Sequence, residues 1–239
     1  MANIQFSFER YEKKYRITPE QQAFILEGMS RRFRPDDYGN YSLCSIYYDT
    51  DDWRLVRSSI EKPVYKEKLR LRSYGVPGEN GIVFAELKKK FDGVVYKRRI
   101  TATVGDAMAF LAGNGGDYGQ IGREISWFQS FYSAKPRVFI GYDRSAFTGI
   151  ENEELRVTFD TNIRWRVTDL DLRLGDHGAP LTSPDDILME IKLPGSCPLW
   201  LSHLLSEAEV FPASFSKYGT CYKNFILPEE LRKGARACA

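Results

Sequence analysis

Histidine and cysteine are scarce in this chain of 239 residues: two histidines, His177 and His203, and four cysteines, Cys44, Cys197, Cys221 and Cys238. The cysteines are widely spaced and form no CxxC pair. That argues against a zinc site of the Cys/His type and against a disulfide framework. The simple reading is reduced thiols in a cytoplasmic protein. So few histidines leave little room for a histidine-activated nucleophile, and His203, near Cys197, reads as a surface residue on a helix. GxxxxGK[ST], GxGxxG and GxSxG do not occur, so a P-loop, a dinucleotide fold and a nucleophile elbow have no support. No run approaches 18 apolar residues, so no transmembrane segment is expected. MANIQFSFERYEKKY lacks a basic stretch followed by an apolar one, so no secretory signal is expected. The formal net charge is only +2. Bulk charge therefore cannot drive polyanion binding, and any such chemistry has to come from local arrangement. No linker rich in Pro, Gly or Ser divides the chain. It reads as a single domain, 1–239, with its core at about 8–226, and RKGARACA at the end reads as a frayed, disordered tail.

What is present is alternation. FERYEKKYRI near the start, then 43–49, 64–74, 81–90, 94–100, 137–147, 154–165 and 187–193 all read as strands. FDG between the fourth and fifth marks a tight turn, because Asp-Gly tolerates positive φ. Helices are fewer. Thr18 can cap one that starts at Pro19 and carries Ile25, Met29 and Phe33 at helical spacing. A short helix is expected over 105–112. Ile121, Ile125, Phe128 and Tyr132 line another, and Pro198 starts a fourth. GNGGDYG (113–119) is a loop. Eight strands with few helices predict an α+β chain: an eight-stranded antiparallel barrel with helices packed outside.

The polar faces carry the chemistry. In KEKLRLRSY (66–74), period-two alternation puts Lys66, Lys68, Arg70 and Arg72 on one face and Leu69 and Leu71 on the other. Neighbouring cations about 7 Å apart repel by roughly 2.4 kcal/mol at an effective dielectric of 20. A single charged face is ordinarily just solvated. Repetition shifts the balance, since Glu86, Lys88 and Lys90 share a face, as do Tyr142 and Arg144, and Glu190 and Lys192. Cations outnumber acids on these faces, and Ser, Thr and Gln are few. A polyanion would supply the missing charge, and phosphate suits Arg forks and Lys point charges. Near phosphates, the acids Glu12, Glu86, Asp160 and Glu190 would hold Mg²⁺ or Mn²⁺. Glu12 and Glu86 could equally pair with a neighbouring lysine. Glu190, between Met189 and Ile191, is the foremost metal candidate. Nucleic acid is the rival ligand, but base stacking needs aromatics on the cationic face, and only Tyr142 clearly lies there.

The order of RYEKKY, SIYYDT, KLRLRSY, FAELKKK, VYKRR, YDRSAF, MEIKL and FSKYGT resembles the VTC domain. That domain is the polyphosphate polymerase branch of the triphosphate tunnel metalloenzyme superfamily, whose relatives include the CYTH-like class. The resemblance runs from about Phe8 to Ile226. It implies a tunnel of eight antiparallel strands with a cation-rich lumen. It further implies metal-dependent (Mn²⁺ or Mg²⁺) transfer of the γ-phosphoryl of ATP to a growing inorganic polyphosphate chain. Carried over by position, Arg70, Arg72, Lys88, Arg144 and Lys217 would stabilise the transferring group. Lys14, Lys68, Lys90, Lys97, Arg99, Tyr142, Arg156, Lys192 and Ser216 would bind phosphate, and Glu190 would hold the metal. Arg10 stands where the triphosphatase and cyclase branch has the first Glu of ExExK, which favours the polymerase branch. Ser214 stands where a further basic residue is expected. The SPX domain and membrane segments of the eukaryotic complexes are missing, so any membrane-protein partner is not encoded in this chain. Triphosphate hydrolysis in the same tunnel, and non-catalytic binding of polyphosphate or nucleic acid, are the alternatives.

Overall fold

Each alternating stretch forms a strand in the computed structural model, which describes residues 11–92 and 94–237, with side chains described through Lys233. Phe8, Arg10, Gly93 of the FDG turn and Cys238 lie outside the described residues. The first half of the chain runs β1 (Tyr11–Ile17), α1 (Pro19–Met29), β2 (Phe33–Asp49), α2 (Arg54–Glu61), β3 (Tyr65–Tyr74) and β4 (Ile82–Phe91). Then come β5 (Val94–Thr103), α3 (Val104–Leu111), α4 (Gly119–Tyr132), β6 (Lys135–Gly149) and β7 (Arg156–Arg166). A 3-10 turn at Leu172–Leu174 leads to the two-residue β8 (Ala179–Pro180), β9 (Ile187–Leu193) and α5 (Leu199–Glu207). α6 (Lys217–Cys221), a π turn (Tyr222–Ile226) and α7 (Leu227–Ala237) complete it.

Two units share the chain. The first takes the residues up to Tyr41, with Asp143–Asn162 and Thr182–Phe215. Its strand path is β1-β9-β7-β6-β2. Odd-numbered residues of β1 and β9 (Tyr15, Ile17, Met189, Ile191, Leu193) join Val157 and Phe159 of β7 in a core covered by α1 and α5. α1 starts where a capping box closes it: the Thr18 hydroxyl accepts from Gln21 N–H, and the Gln21 side-chain oxygen accepts from Thr18 N–H.

The second unit takes Ser42–Tyr142, Ile163–Leu181 and the residues from Ser216 on. Its path is β7-β6-β2-β3-β4-β5, with β8 off the path on β7. Leu69, Leu71, Val83, Ala85 and Leu87 face a core that Phe110, Ile125 and Phe128 of α3 and α4 cover. Asp92 turns the β4–β5 hairpin with φ +42°. The expected closed barrel is corrected to an open antiparallel sheet, since β5 has no strand neighbour beyond β4 among the described residues. Closure needs two edge ladders to exchange hydrogen bonds, and β5 carries Lys97, Arg98 and Arg99, the charge that keeps an edge strand unpaired.

Three helices escape the periodicity. α2 begins after Trp53 in the left-handed region; the Arg54 N–H donates to the Thr50 hydroxyl, and those of Leu55 and Val56 to Asp49, at the end of β2. α6 and α7 flank the π turn. Pro228 has no N–H to give the Asn224 carbonyl, and its ring clashes there, so the helix widens just before it. The tail read as frayed continues α7 to Ala237. Among the described residues no helix is long and apolar enough to cross a membrane.

Candidate functional site

In the second unit, register decides which charges meet. Lys66 lies opposite Lys90, Lys68 opposite Lys88, Arg70 opposite Glu86 and Arg72 opposite Phe84. On the next strand Lys88 meets Lys97 and Glu86 meets Arg99. Directly opposed residues share a face, and like charges there are destabilising. One face of three strands thus carries Lys66, Lys68, Arg70, Arg72, Lys88, Lys90, Lys97 and Arg99 against the carboxylate of Glu86. Glu86 is 3% exposed. Arg70 Nε and Nη2 approach its Oε2 at 2.8 and 2.7 Å, and Lys97 Nζ approaches Oε1 at 2.7 Å. Arg72 stands off at 3.7 Å. Burial acts to raise the Glu86 pKa, but Arg70, Arg72 and Lys97 outweigh it and hold the carboxyl down to about 2. The opposite strain falls on Lys66, which burial and then Lys90, Lys62 and Lys88 push below the ordinary lysine range. Arg99 lies with its guanidinium 4.9 Å from the Phe84 ring centre.

The residues from Ser216 on complete this face. The Ser216 hydroxyl caps α6 by accepting from Gly219 N–H, and Lys68 Nζ lies 3.4 Å from the same oxygen. Lys217 Nζ sits 4.1 Å from the centre of the Tyr142 ring, whose hydroxyl accepts from Arg72 Nη2 at 3.4 Å. Lys68, Arg70, Arg72, Lys88, Lys90, Lys97, Arg99, Tyr142, Ser216 and Lys217 are therefore all in this unit. Sequence reasoning missed Tyr47. It lies opposite Arg70, accepts from Arg70 Nη1 at 3.2 Å, and stacks on Tyr218 at 4.7 Å. The cationic face thus holds Tyr47 and Phe84 besides Tyr142. Phe84 shares the parity of Glu86 and Lys88, but for Tyr47 only the pairing register shows this, because YY in SIYYDT gives no parity of its own.

The first unit has its own polar face. Glu12 lies opposite Lys192, which lies opposite Arg156; Lys14 lies opposite Glu190, which lies opposite Thr158. Lys14 Nζ is 3.4 Å from Glu12 and 4.0 Å from Glu190, and Lys192 Nζ is 3.6 Å from Glu190. Arg144 grips Asp160 with two hydrogen bonds, Nε–Oδ1 at 2.6 Å and Nη2–Oδ2 at 2.8 Å, and Asp160 is fully buried. Among the described residues, no three His, Cys, Asp or Glu side chains gather as a metal site. Glu86 and Asp160 are taken up by arginines. Glu12 and Glu190 both lie within reach of Lys14. Beside them the Thr158 hydroxyl is buried with no hydrogen-bond partner. Two carboxylates with an orphaned hydroxyl fit a hard cation that takes its remaining ligands from phosphate and water.

The model of the VTC domain family matches residues 9–226. Vacuolar transporter chaperone complex subunit 4 of Schizosaccharomyces pombe is 24% identical over 277 residues, which cover 91% of this chain. The chain spans 37% of the length of that relative. Among solved structures, one provisionally named adenylate cyclase from Bacillus halodurans superposes with a TM-score of 0.55 at 14% identity, covering 90% of this chain and 96% of its own. A second, an adenylyl cyclase by provisional name from Hippeastrum, described as having a dominant triphosphatase activity, gives 0.50 at 14% identity, covering 87% and 92%.

Proposed function

We propose, for a chain that belongs to the VTC domain family and has the fold of triphosphate tunnel metalloenzymes, transfer of the γ-phosphoryl of ATP to a growing inorganic polyphosphate chain. One observation carries the reading: register sets Lys68, Lys88 and Lys97 opposite one another across three strands, with Glu86 within reach of Lys97. Like charges in one row repel, and an anion lying along the row relieves that repulsion. β3 spreads its cations from Lys66 to Arg72, about 20 Å at the rise of a strand. A triphosphate covers well under half of that length, so the row suits a longer chain of phosphates.

Phosphoryl transfer has a loose transition state whose charge spreads over the phosphoryl oxygens, so the protein acts by placement and charge. Arg70 and Arg72 offer guanidinium forks to the transferring group, and Lys88 and Lys217 add point charges. In the first unit Glu190, with Glu12 and the Thr158 hydroxyl beside it, would hold Mn²⁺ or Mg²⁺, which when bound supplies Lewis-acid polarisation of phosphate oxygen. The acceptor phosphate is already anionic, so no strong general base is required. The relative's place in a vacuolar transporter chaperone complex is the ground for proposing a membrane-protein partner.

Incubation with ATP and Mn²⁺, followed by resolving the products, tests the reading. Long polyphosphate is expected. Phosphate or pyrophosphate alone would make the chain a triphosphatase, as the Hippeastrum protein is described, and unchanged ATP despite binding would make it a binding module. Arg70→Ala and Arg72→Ala should each weaken phosphate binding at least tenfold, the loss of a charge-assisted hydrogen bond. Glu190→Gln should lose metal-dependent turnover, and turnover at the wild-type rate would refute the metal assignment.

A further inference from the structure

Tyr47 and Tyr218 stack with centres 4.7 Å apart and planes 25° apart, yet their surroundings pull the two phenols in opposite directions. Tyr218 donates to Asp49 Oδ2 at 2.7 Å, and burial with that carboxylate pushes its pKa well up. Asp49, fully buried, also accepts from the N–H groups of Thr50, Leu55 and Val56. Tyr218 is therefore a fixed neutral donor, and it pins the ring stacked on it. For Tyr47, burial acts upward, but Arg70, Lys68 and Arg72 outweigh it and bring the phenol down to about 8. Two like groups in contact with divergent ionisation mark a division of roles.

We propose that Tyr47 is a positioning residue for Arg70, and that ionisation of its phenol weakens anion binding by the Lys68–Arg70–Arg72 row. The geometry runs through the guanidinium. Arg70 spends Nε and Nη2 on Glu86 and Nη1 on Tyr47, so both edges of the fork are oriented before an anion arrives. With Tyr47 neutral, Arg70 faces one carboxylate and keeps charge for a phosphate. With Tyr47 ionised, Arg70 sits between two anions, and the phenolate repels a phosphate from the same place. The groups that face Tyr47 are Lys68, Arg70 and Arg72 from β3, its neighbour Ser45 and Asp49 on β2, and the neutral Tyr218 from α6. Glu86 of β4 and Tyr142 of β6 act on it through Arg70 and Arg72. Among the described hydrogen bonds the Tyr47 hydroxyl is bonded to Arg70 and to no acid, so Arg70 reads its charge directly.

The inference rests on the reading that this row binds phosphate. Inorganic tripolyphosphate is the probe, titrated by calorimetry from about pH 7 to about pH 9, around the tyrosine range shifted by cations. Wild-type affinity should fall about tenfold more than that of Tyr47→Phe, the effect of one added charge near the ligand. The variant keeps the stack on Tyr218 and shares every other titrating group, Lys66 and Lys97 included. Superimposable pH profiles would overturn the inference and leave the phosphate reading intact; no binding to either protein at any pH would sink both. Tyrosinate absorbance of the wild type keeps the proposal falsifiable should the variant not fold. One tyrosine should ionise near pH 8, and tripolyphosphate should move it upward by about one unit, the reciprocal of the tenfold loss. A titration with no tyrosine ionising below about pH 9.5, the ordinary range, would overturn it.

Discussion

Glu86 balances the charge of the second unit's polar face almost alone. Its carboxylate meets Arg70, Arg72 and Lys97, while the next row, Lys68 against Lys88 and Lys97, is cation against cation. Glu86→Gln should therefore do two opposite things. Stability without anion should fall by about 1–3 kcal/mol, since buried cations lose their partner. Tripolyphosphate should bind several-fold more tightly, because the same cations turn to it. Denaturant melts with and without tripolyphosphate would show both effects, and a variant that loses binding would contradict this account. The pH sign comes from the lowered pKa. The group's contribution is fully present above its ordinary value of 4.5 and is lost as pH falls towards about 2. Acid unfolding of the wild type should steepen in that window, and Glu86→Gln should be flatter there. At this scale Arg70 and Arg72 were legible, because alternation with Leu69 and Leu71 fixes their parity. Tyr47 was not, because the face of β2 that meets the cations depends on its pairing with β3.

Among the elements, α2 shows how far a helix signal can lie from its helix. The segment opens on Trp53 and Arg54 with no capping side chain of its own. Its acceptors are the Thr50 hydroxyl, for Arg54 N–H, and Asp49, whose two oxygens take the N–H groups of Leu55 and Val56 and the hydroxyl of Tyr218. Asp49→Ala should cost about 2 kcal/mol or more, a lost cap together with buried donors left unsatisfied. It should also loosen the Tyr218 ring against Tyr47. A guanidinium midpoint unchanged from wild type would rule out that role. α1 was readable because Thr18, Pro19 and Gln21 stand together at its start. α6 and α7 were not, since KYGTC is too short to show a period and Pro228 breaks the pattern beyond it.

For the whole molecule, a net charge of +2 conceals a face with eight cations around one carboxylate. Self-repulsion on that face links stability to anions. Tripolyphosphate at one hundred times its dissociation constant should stabilise by about 2.7 kcal/mol, which raises Tm by roughly 5–10 °C for a chain of this size. Sodium chloride at equal ionic strength should give a smaller rise. Equal rises from both salts would mean screening rather than a site. The sequence by itself determined the strands, their buried and charged sides, and the family, because alternation and motif order are local properties of the chain. Only tertiary structure decided which charges oppose one another, that Glu86 and Asp160 belong to arginines, that Glu12 and Glu190 share Lys14, and that Tyr47 meets Arg70. Those are matters of register between strands distant in sequence, and a shift of one residue would turn every one of these side chains to the other face.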